Sequence, residues 1–295
     1  MNICEAPDLS LVKDGHCADS SQPTQSNFRW SRSLSLSQLR QRLEYLETQH
    51  CLAGDSHAYF LSCYIVSMKR CEYLIEAIRD RGHPEHARYA ELDDRLIDTI
   101  ASYFSHYYFS AYESVLSPDR KRAPNPWVLA LKSDSVAKRS PLHGMLLGLI
   151  AHSCYDLPLV LSEITPSGRA IYDGSNIKHK RTYLEISKLL VDELPVIGQS
   201  LELTLTHMRH RGLVKGGLRI QLVGYLLRSG FFNRIVYEVL TNVHREALLN
   251  CYRLQRGILS VDVLADLCCE RMSALTQGSF HVNVVKALFQ SLVKS

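Results

Sequence analysis

The sequence predicts an all-α protein, a single multi-helix, bundle-like domain of about eight to ten helices with no sheet. Three observations carry that prediction. Apolar residues recur at three- and four-residue spacing from Leu36 to the far end of the chain, helix-start residues (Ser, Asp, Asn) and helix-stop residues (Gly, Pro) punctuate that pattern, and no set of alternating apolar and polar runs suggests paired strands. With 295 residues, 46% hydrophobic and 22% charged, the chain carries enough apolar material for a substantial core.

Taken in order, Ser33 or Ser35 caps a first helix that runs through Leu36, Leu39, Leu43 and Leu46. Asp55 or Ser56 caps a second, carrying Tyr59, Phe60, Cys63, Ile65, Tyr73 and Ile78, and Gly82 and Pro84 end it. A third runs from Glu85 to Leu116, where Ser117-Pro118 stops it. Asn125-Pro126 and Ser140-Pro141 each pair a cap with a proline suited to the first helical position, so each starts a helix. Residues 165–179 hold two glycines and a proline in a polar setting, which makes them the longest internal loop and a lid candidate. Later helices are expected at Lys180 to His210, Leu213 to Leu227, Phe231 to Leu254, Ser260 to Leu275 and Ser279 to Val293, with breaks at Gly212, Gly230, Gly257 and Gly278.

Residues 1–32 are rich in Ser, Asp, Gln and Pro, lack the build of a secretion signal, and read as a disordered tail ahead of a domain over 33–295. The net charge of +4 is mild and its basic residues are scattered, which argues against nucleic acid as a partner. Nine cysteines form no Cys-x-x-Cys pair, and several fall inside apolar helical pattern, the usage of free thiols in a reducing, cytoplasmic compartment. The longest apolar run, Met145 to Leu161, is interrupted by His152, Asp156 and Pro158 and is shorter than the ~20 residues of a membrane span, so no span is expected.

Those interruptions are the most informative feature of the chain. A carboxylate taken out of water must be paired, hydrogen-bonded, metal-bound or protonated. His152 and Asp156, four residues apart on a helix, sit about 40° from one another and can act on one object. The pair reads either as metal ligands or an acid–base pair on the floor of a pocket, or as a structural clasp. Pro158 has no amide to bond the carbonyl of Cys154, so the helix is expected to kink or end there. If it resumes, Glu163 falls about 20° from Asp156 and extends the stripe.

A second set lies on the third helix. His106 and Glu113 are seven apart, among Tyr103, Phe104, Tyr107, Tyr108 and Phe109, the composition of a pocket wall or of an aromatic core helix. Facing helices that contribute Glu and His are how carboxylate-bridged metals are held in bundles, so the expected metal ligands are His152, Asp156, His106, Glu113 and Glu163, with Tyr103, Tyr107 and Tyr155 shaping the pocket. None of these five residues stands in the Glu-x-x-His tetrad usual in such bundles. Also absent are Gly-x-Gly-x-x-Gly, the phosphate-binding Gly-x-x-x-x-Gly-Lys, Gly-x-Ser-x-Gly and His-Glu-x-x-His, which removes a nucleotide cofactor and serine-hydrolase chemistry from consideration.

At Gly148-Leu-Ile-Ala151-His152-x-x-x-Asp156-Leu157-Pro158-Leu159 the chain resembles a family of uncharacterised all-helical proteins, bacterial and fungal, with the hallmark Gly-x-Asn-Ala-His-Ile-x-x-Asp-Leu-Pro-Leu. Ile150 stands where the hallmark has Asn, and Ser153 where it has Ile; Ala151, His152, Asp156 and Pro158 match. The His-x-x-x-Asp order is also similar to that of zinc-dependent phospholipase C and single-strand nucleases, whose second histidine and N-terminal tryptophan ligand this chain lacks. Helical di-iron oxygenases of the haem-oxygenase-like kind share the spacings with the residue types reversed.

The function expected from these readings is that of a small-molecule enzyme, metal-dependent (Fe, Mn or Zn) and in specialised metabolism. Its pocket would lie between the His106 helix and the His152/Asp156 helix, and His152, Asp156 and His106 would do the chemistry. The expected partner is a small-molecule substrate, with a homodimer left open. The alternative is a non-catalytic helical binding or scaffold protein with the pair as a clasp; a zinc-dependent phosphoesterase-like hydrolase is the lesser one.

Overall fold

The structure, a computed structural model, describes residues 34–117, 123–132, 141–164, 176–213, 221, 225 and 233–276. The tail over 1–32, the loop residues 165–175, the helix expected at 279–293 and most of the one at 213–227 lie outside the described residues. Every regular element within them is helical, so the all-α expectation holds.

Helix α1 (Leu36–Ala53) starts at Ser35, whose hydroxyl accepts the Gln38 amide while the Gln38 side chain accepts the Ser35 amide. It ends at Gly54, whose φ of 68° only glycine adopts without strain. Helix α2 (His57–Arg79) is capped by Asp55, which accepts the His57 amide at 2.9 Å; the Ser56 side chain makes no cap bond. The expected single helix from Glu85 to Leu116 is two: α3 (His86–Tyr89) and α4 (Asp94–Leu116). The break is made by Asp93, whose carboxylate accepts the Leu96 amide and so founds a new N-terminus inside the pattern. Helix α5 is Asn125–Lys132.

The stretch with the His/Asp pair is continuous helix: α6 (Pro141–Ile150), a π-helical segment (Ala151–Asp156) and α7 (Leu157–Ile164). Of the two outcomes expected at Pro158, a kink or an end, the helix does not end there. The reason is the wide turn immediately before it. The Leu157 amide bonds back five residues to the His152 carbonyl, and the ladder is already reset where Pro158 would have lacked a donor. Over His143–Ile164 this helix is long and apolar enough to cross a membrane by length and composition, and 72% of the window is buried within the protein, the packing of a core helix.

The helix expected from Lys180 to His210 is also divided, into α8 (Ile177–Asp192) and α9 (Leu194–His210). Pro195, in the first turn of α9, cannot continue the ladder of α8. Helices α10 (Asn233–Gln255) and α11 (Val261–Thr276) follow close to expectation.

Helix α2 is the axis of the packing, with α1, α4, α6 and α9 laid against it. Two glycines let α6 approach it closely. A Cβ built on Gly148 would stand 2.6 Å from Cγ of Phe60 on α2, and one on Gly144 would stand 2.2 Å from the hydroxyl oxygen of Ser56, the residue just before α2. Gly144, Gly148, His152 and Asp156 follow one another at four-residue intervals, so the close-packed stripe runs into the pair. Helix α7 turns instead to α4 and α10, where Leu157 and Leu161 pack with Leu96, Ile100, Tyr183, Ala247 and Cys251.

Candidate functional site

The π-helical turn sets the geometry of the pair. A turn closed by a five-residue bond rotates less per residue than an α-helix, so side chains four apart come nearer to one azimuth than the ~40° of regular helix. His152 Nδ1 and Asp156 Oδ2 are 2.9 Å apart. From α5, the Trp127 indole N–H donates to both Asp156 oxygens, 3.0 Å from each. His152 is 4% exposed and Asp156 is not exposed at all.

Five aromatic rings enclose the imidazole. Phe104 lies flat on it, centroids 3.5 Å apart and planes 13° off parallel. The others meet it at steep angles: Tyr64 at 61°, Trp127 at 65°, Tyr108 at 77° and Phe60 at 86°. Four of these five are buried, and Phe104 is half-buried. The pair is thus walled by hydrocarbon, with Asp156 Oδ1 and Oδ2 satisfied and His152 Nε2 buried without a hydrogen-bond partner.

Burial pushes His152 well below the usual imidazole range. Burial likewise pushes Asp156 well above the usual carboxylate range, an effect the Trp127 N–H partly opposes. Both shifts penalise net charge in a dry site, so the pair rests neutral overall. Whether the bridging proton sits on Oδ2 or on Nδ1, a pair of zero net charge leaves the other hydrogen on Nε2.

A second polar group adjoins the first, and the sequence reading did not find it. His57 Nε2 bonds the Tyr108 hydroxyl at 3.0 Å, His50 Nδ1 bonds Asp55 at 2.9 Å, and His50 Nε2 bonds the Tyr112 hydroxyl at 3.1 Å. His57 also faces Phe60 and Trp127, two of the rings that enclose His152. The available signal was the cluster of His50, Asp55 and His57, of which Asp55 alone was read, as a cap.

The other expected site residues are placed elsewhere. Glu163 is exposed, where it accepts the Tyr107 hydroxyl at 2.5 Å. Seven residues carry it about 10 Å along the axis from Asp156, out of the core. Glu113 is exposed and paired with Arg42. His106 lies on the flank of α4, where Glu113 and Arg42 are its charged neighbours. Tyr103 and Tyr107 are half-buried, Tyr107 with Glu163, Asp156 and Tyr155 as its neighbours; Phe104 and Tyr108 are the α4 rings that meet His152. Tyr155 is buried with Asp262 and Cys268 as its near neighbours besides Asp156, on the α11 side. Of the five expected ligands only His152 and Asp156 come together, and among the described residues no three His, Cys, Asp or Glu side chains are placed to hold a metal ion.

Fold and site together define an all-helical protein built around a buried, aromatic-walled histidine–aspartate dyad. The chain belongs to a family of unknown function (DUF5995), whose profile matches residues 36–229, from the start of α1 past the end of α9 and with the His152/Asp156 motif inside it. The resemblance read at Gly148 to Leu159 is thereby shown at the level of the family. No curated protein and no solved structure matches the chain.

The buried histidines make a pH prediction. Burial pushes His57 down to about 3, with the nearby His50 adding to the effect, and burial pushes His244 down to about 4. Below about 6.5 the unfolded chain takes up a proton at each that the folded chain refuses, so stability is lost as pH falls, by about 1.4 kcal/mol per pH unit per group. The dyad's two shifts oppose one another, since the depressed His152 costs stability as pH falls and the raised Asp156 returns it. The urea midpoint should therefore drop from pH 6.5 to 4.5, and the double variant His57→Gln/His244→Gln should flatten that drop; an unchanged slope would contradict the assignment.

Proposed function

We propose that the protein is a small-molecule enzyme in which the His152–Asp156 dyad moves one proton. The observation that carries this reading is His152 Nε2, buried among rings without a hydrogen-bond partner while Asp156 holds Nδ1. An unpaired buried nitrogen costs about 1–3 kcal/mol, which a clasp has no need to bear. In the neutral pair Nε2 is a donor. When its proton passes to an acceptor atom of a substrate, the proton shared with Asp156 settles on Nδ1, and the negative charge left on the carboxylate lies against the Trp127 N–H. Return of a proton to Nε2 restores the pair. Exchange of this kind by a positioned group supplies about 10²–10⁴-fold in rate.

The second reading is the clasp in a non-catalytic binding protein, favoured by the Trp127 contact to both oxygens and by the rings that fill the space around the pair. Asp156→Asn separates the two. Its amide can accept from Trp127 and donate to Nδ1, so it imitates the protonated carboxyl in shape but cannot release the proton. Wild type and variant are each incubated with a small-molecule extract of cells that make the protein, and the mixtures are followed by mass spectrometry. The expected result is one component consumed by wild type and turned over at least about 100-fold more slowly by the variant at equal helicity. Consumption of nothing by wild type, or equal consumption by both, overturns the enzyme in favour of the clasp.

A further inference from the structure

The protein's second His–Asp pair is in the opposite state to the first. Burial suppresses the charge of Asp156. Asp55 instead lies below the usual carboxylate range: burial pushes it up, but the hydrogen bonds it accepts from His50 and from the His57 backbone amide outweigh that. An ionised carboxylate only accepts, so His50 Nδ1 carries the hydrogen of their 2.9 Å bond. Nε2 of the neutral imidazole is then an acceptor, and the Tyr112 hydroxyl donates to it across 3.1 Å. This order of carboxylate, imidazole and hydroxyl is the one that turns a hydroxyl into a nucleophile. The neighbouring His57–Tyr108 pair lacks it, being buried and with His57 Nδ1 unpartnered. His50, Asp55 and Tyr112 are all half-buried, with a third of the Asp55 side chain exposed. Burial holds the Tyr112 phenol above its usual range, so it gives up its proton only to a base already in place.

We propose that Tyr112 is an acyl-acceptor site, a phenol that takes the acyl group of a neutral activated ester, with His50 as its base and Asp55 as the positioning residue behind that base. The site shares no residue with the His152–Asp156 dyad and does not depend on it. In the step, the Tyr112 oxygen bonds the ester's carbonyl carbon while its proton passes to His50 Nε2. The bond from that carbon to the leaving oxygen breaks, and the leaving group departs with that electron pair and the proton from Nε2. His50 and Asp55 end as they began. The product is an aryl ester, still activated because a phenol leaves more readily than an aliphatic alcohol, and water cleaves it to a carboxylic acid and the free phenol. Charge selects an acyl over a phosphoryl donor. Asp55 is ionised, and the neighbouring cation, Arg42, is already paired with Glu113, so a phosphate would meet repulsion where a neutral ester meets none.

The test treats the full chain with p-nitrophenyl acetate, quenches samples in acid over time and locates acetyl groups by peptide mass. Tyr45, a neighbour of Tyr112 and 45% exposed, is the internal control. Exposure alone would favour Tyr45. The expected result is acetylation of Tyr112 at least about 10-fold faster than of Tyr45, and a fall of at least about 10-fold in the Tyr112 rate in His50→Gln and in Asp55→Asn. His50→Gln keeps a hydrogen-bonding side chain but no base. Asp55→Asn separates positioning from structure. Its amide oxygen still accepts the His57 amide at the start of α2, while its NH₂ group faces Nδ1 and turns the imidazole to the tautomer that cannot take the phenol proton. Circular dichroism should therefore show wild-type helicity in that variant. Acetylation of Tyr112 no faster than of Tyr45, or a rate that survives either substitution, overturns the site. Should His50→Gln fold poorly, the wild-type ratio and Asp55→Asn decide the question without it.

Discussion

Asp156→Ala is expected to destabilise the fold by about 3–5 kcal/mol, the scale for removing one partner of a buried polar pair. The truncation leaves the Trp127 indole N–H and His152 Nδ1 without a partner in a site walled by rings, where no water replaces the carboxylate. It also opens a void at the meeting of α5, α6 and α7. Asp156→Asn keeps both hydrogen bonds in the neutral form of the pair and should cost less than about 1.5 kcal/mol. The contrast is the informative quantity. If Asn proves as damaging as Ala in urea unfolding followed by circular dichroism, the resting pair carries a carboxylate and the neutral assignment is wrong.

The second large effect is expected at Gly148. In an unencumbered helix Gly→Ala stabilises by about 0.5–1 kcal/mol, because alanine has less backbone freedom to lose. Here the new methyl would lie 2.6 Å from the Phe60 ring, whose Cβ is also within 2.9 Å. Phe60 cannot yield easily. Its ring is fully buried and flanked by His57 at 5.1 Å, His152 at 5.6 Å and Trp127 at 5.7 Å. The sign should therefore reverse to a net loss of about 1–3 kcal/mol, the cost of overpacking. Phe60→Leu in the Gly148→Ala background should recover part of the loss, which a double-mutant cycle on urea midpoints would read. A stabilising Gly148→Ala would show that the two helices are not in close contact.

The same stripe explains what was legible in the sequence. His152 and Asp156 could be found because two ionisable side chains in an apolar run have few physical explanations. The fold class was legible for a similar reason, since caps such as Ser35 and stops such as Gly257 are local devices that act as local rules predict. Two long helices were nonetheless drawn where four elements stand. Asp93 and Pro195 are start signals lying inside unbroken apolar pattern, and periodicity alone gives no reason to prefer them.

The opposite wall was placed on the correct helix but without Phe104 and Tyr108, the two α4 rings that meet His152. In Tyr103-Phe104-Ser105-His106-Tyr107-Tyr108-Phe109 nearly every position is aromatic or amphipathic, so hydrophobicity carries no phase. The phase lies in the small residues: Ala101 and Ser105 mark the face of α4 that the core approaches, with Tyr108 one turn on. Read from that face, Phe104 and Tyr108 would have replaced Tyr103 and Tyr107. Trp127 was not legible. Nothing local to Asn125-Pro126-Trp127 shows that its indole N–H meets a carboxylate 29 residues away.

The wide turn at Ala151–Asp156 joins two surfaces that answer to different neighbours. Upstream, the glycine stripe meshes with α2; downstream, Leu157 and Leu161 mesh with α4, α8 and α10. One residue more or fewer between them turns the second surface by about 100° against the first. The helix therefore works as a gear with a fixed tooth count: a deletion or insertion between Gly148 and Pro158 would unmesh one of its two surfaces whatever side chains it left in place.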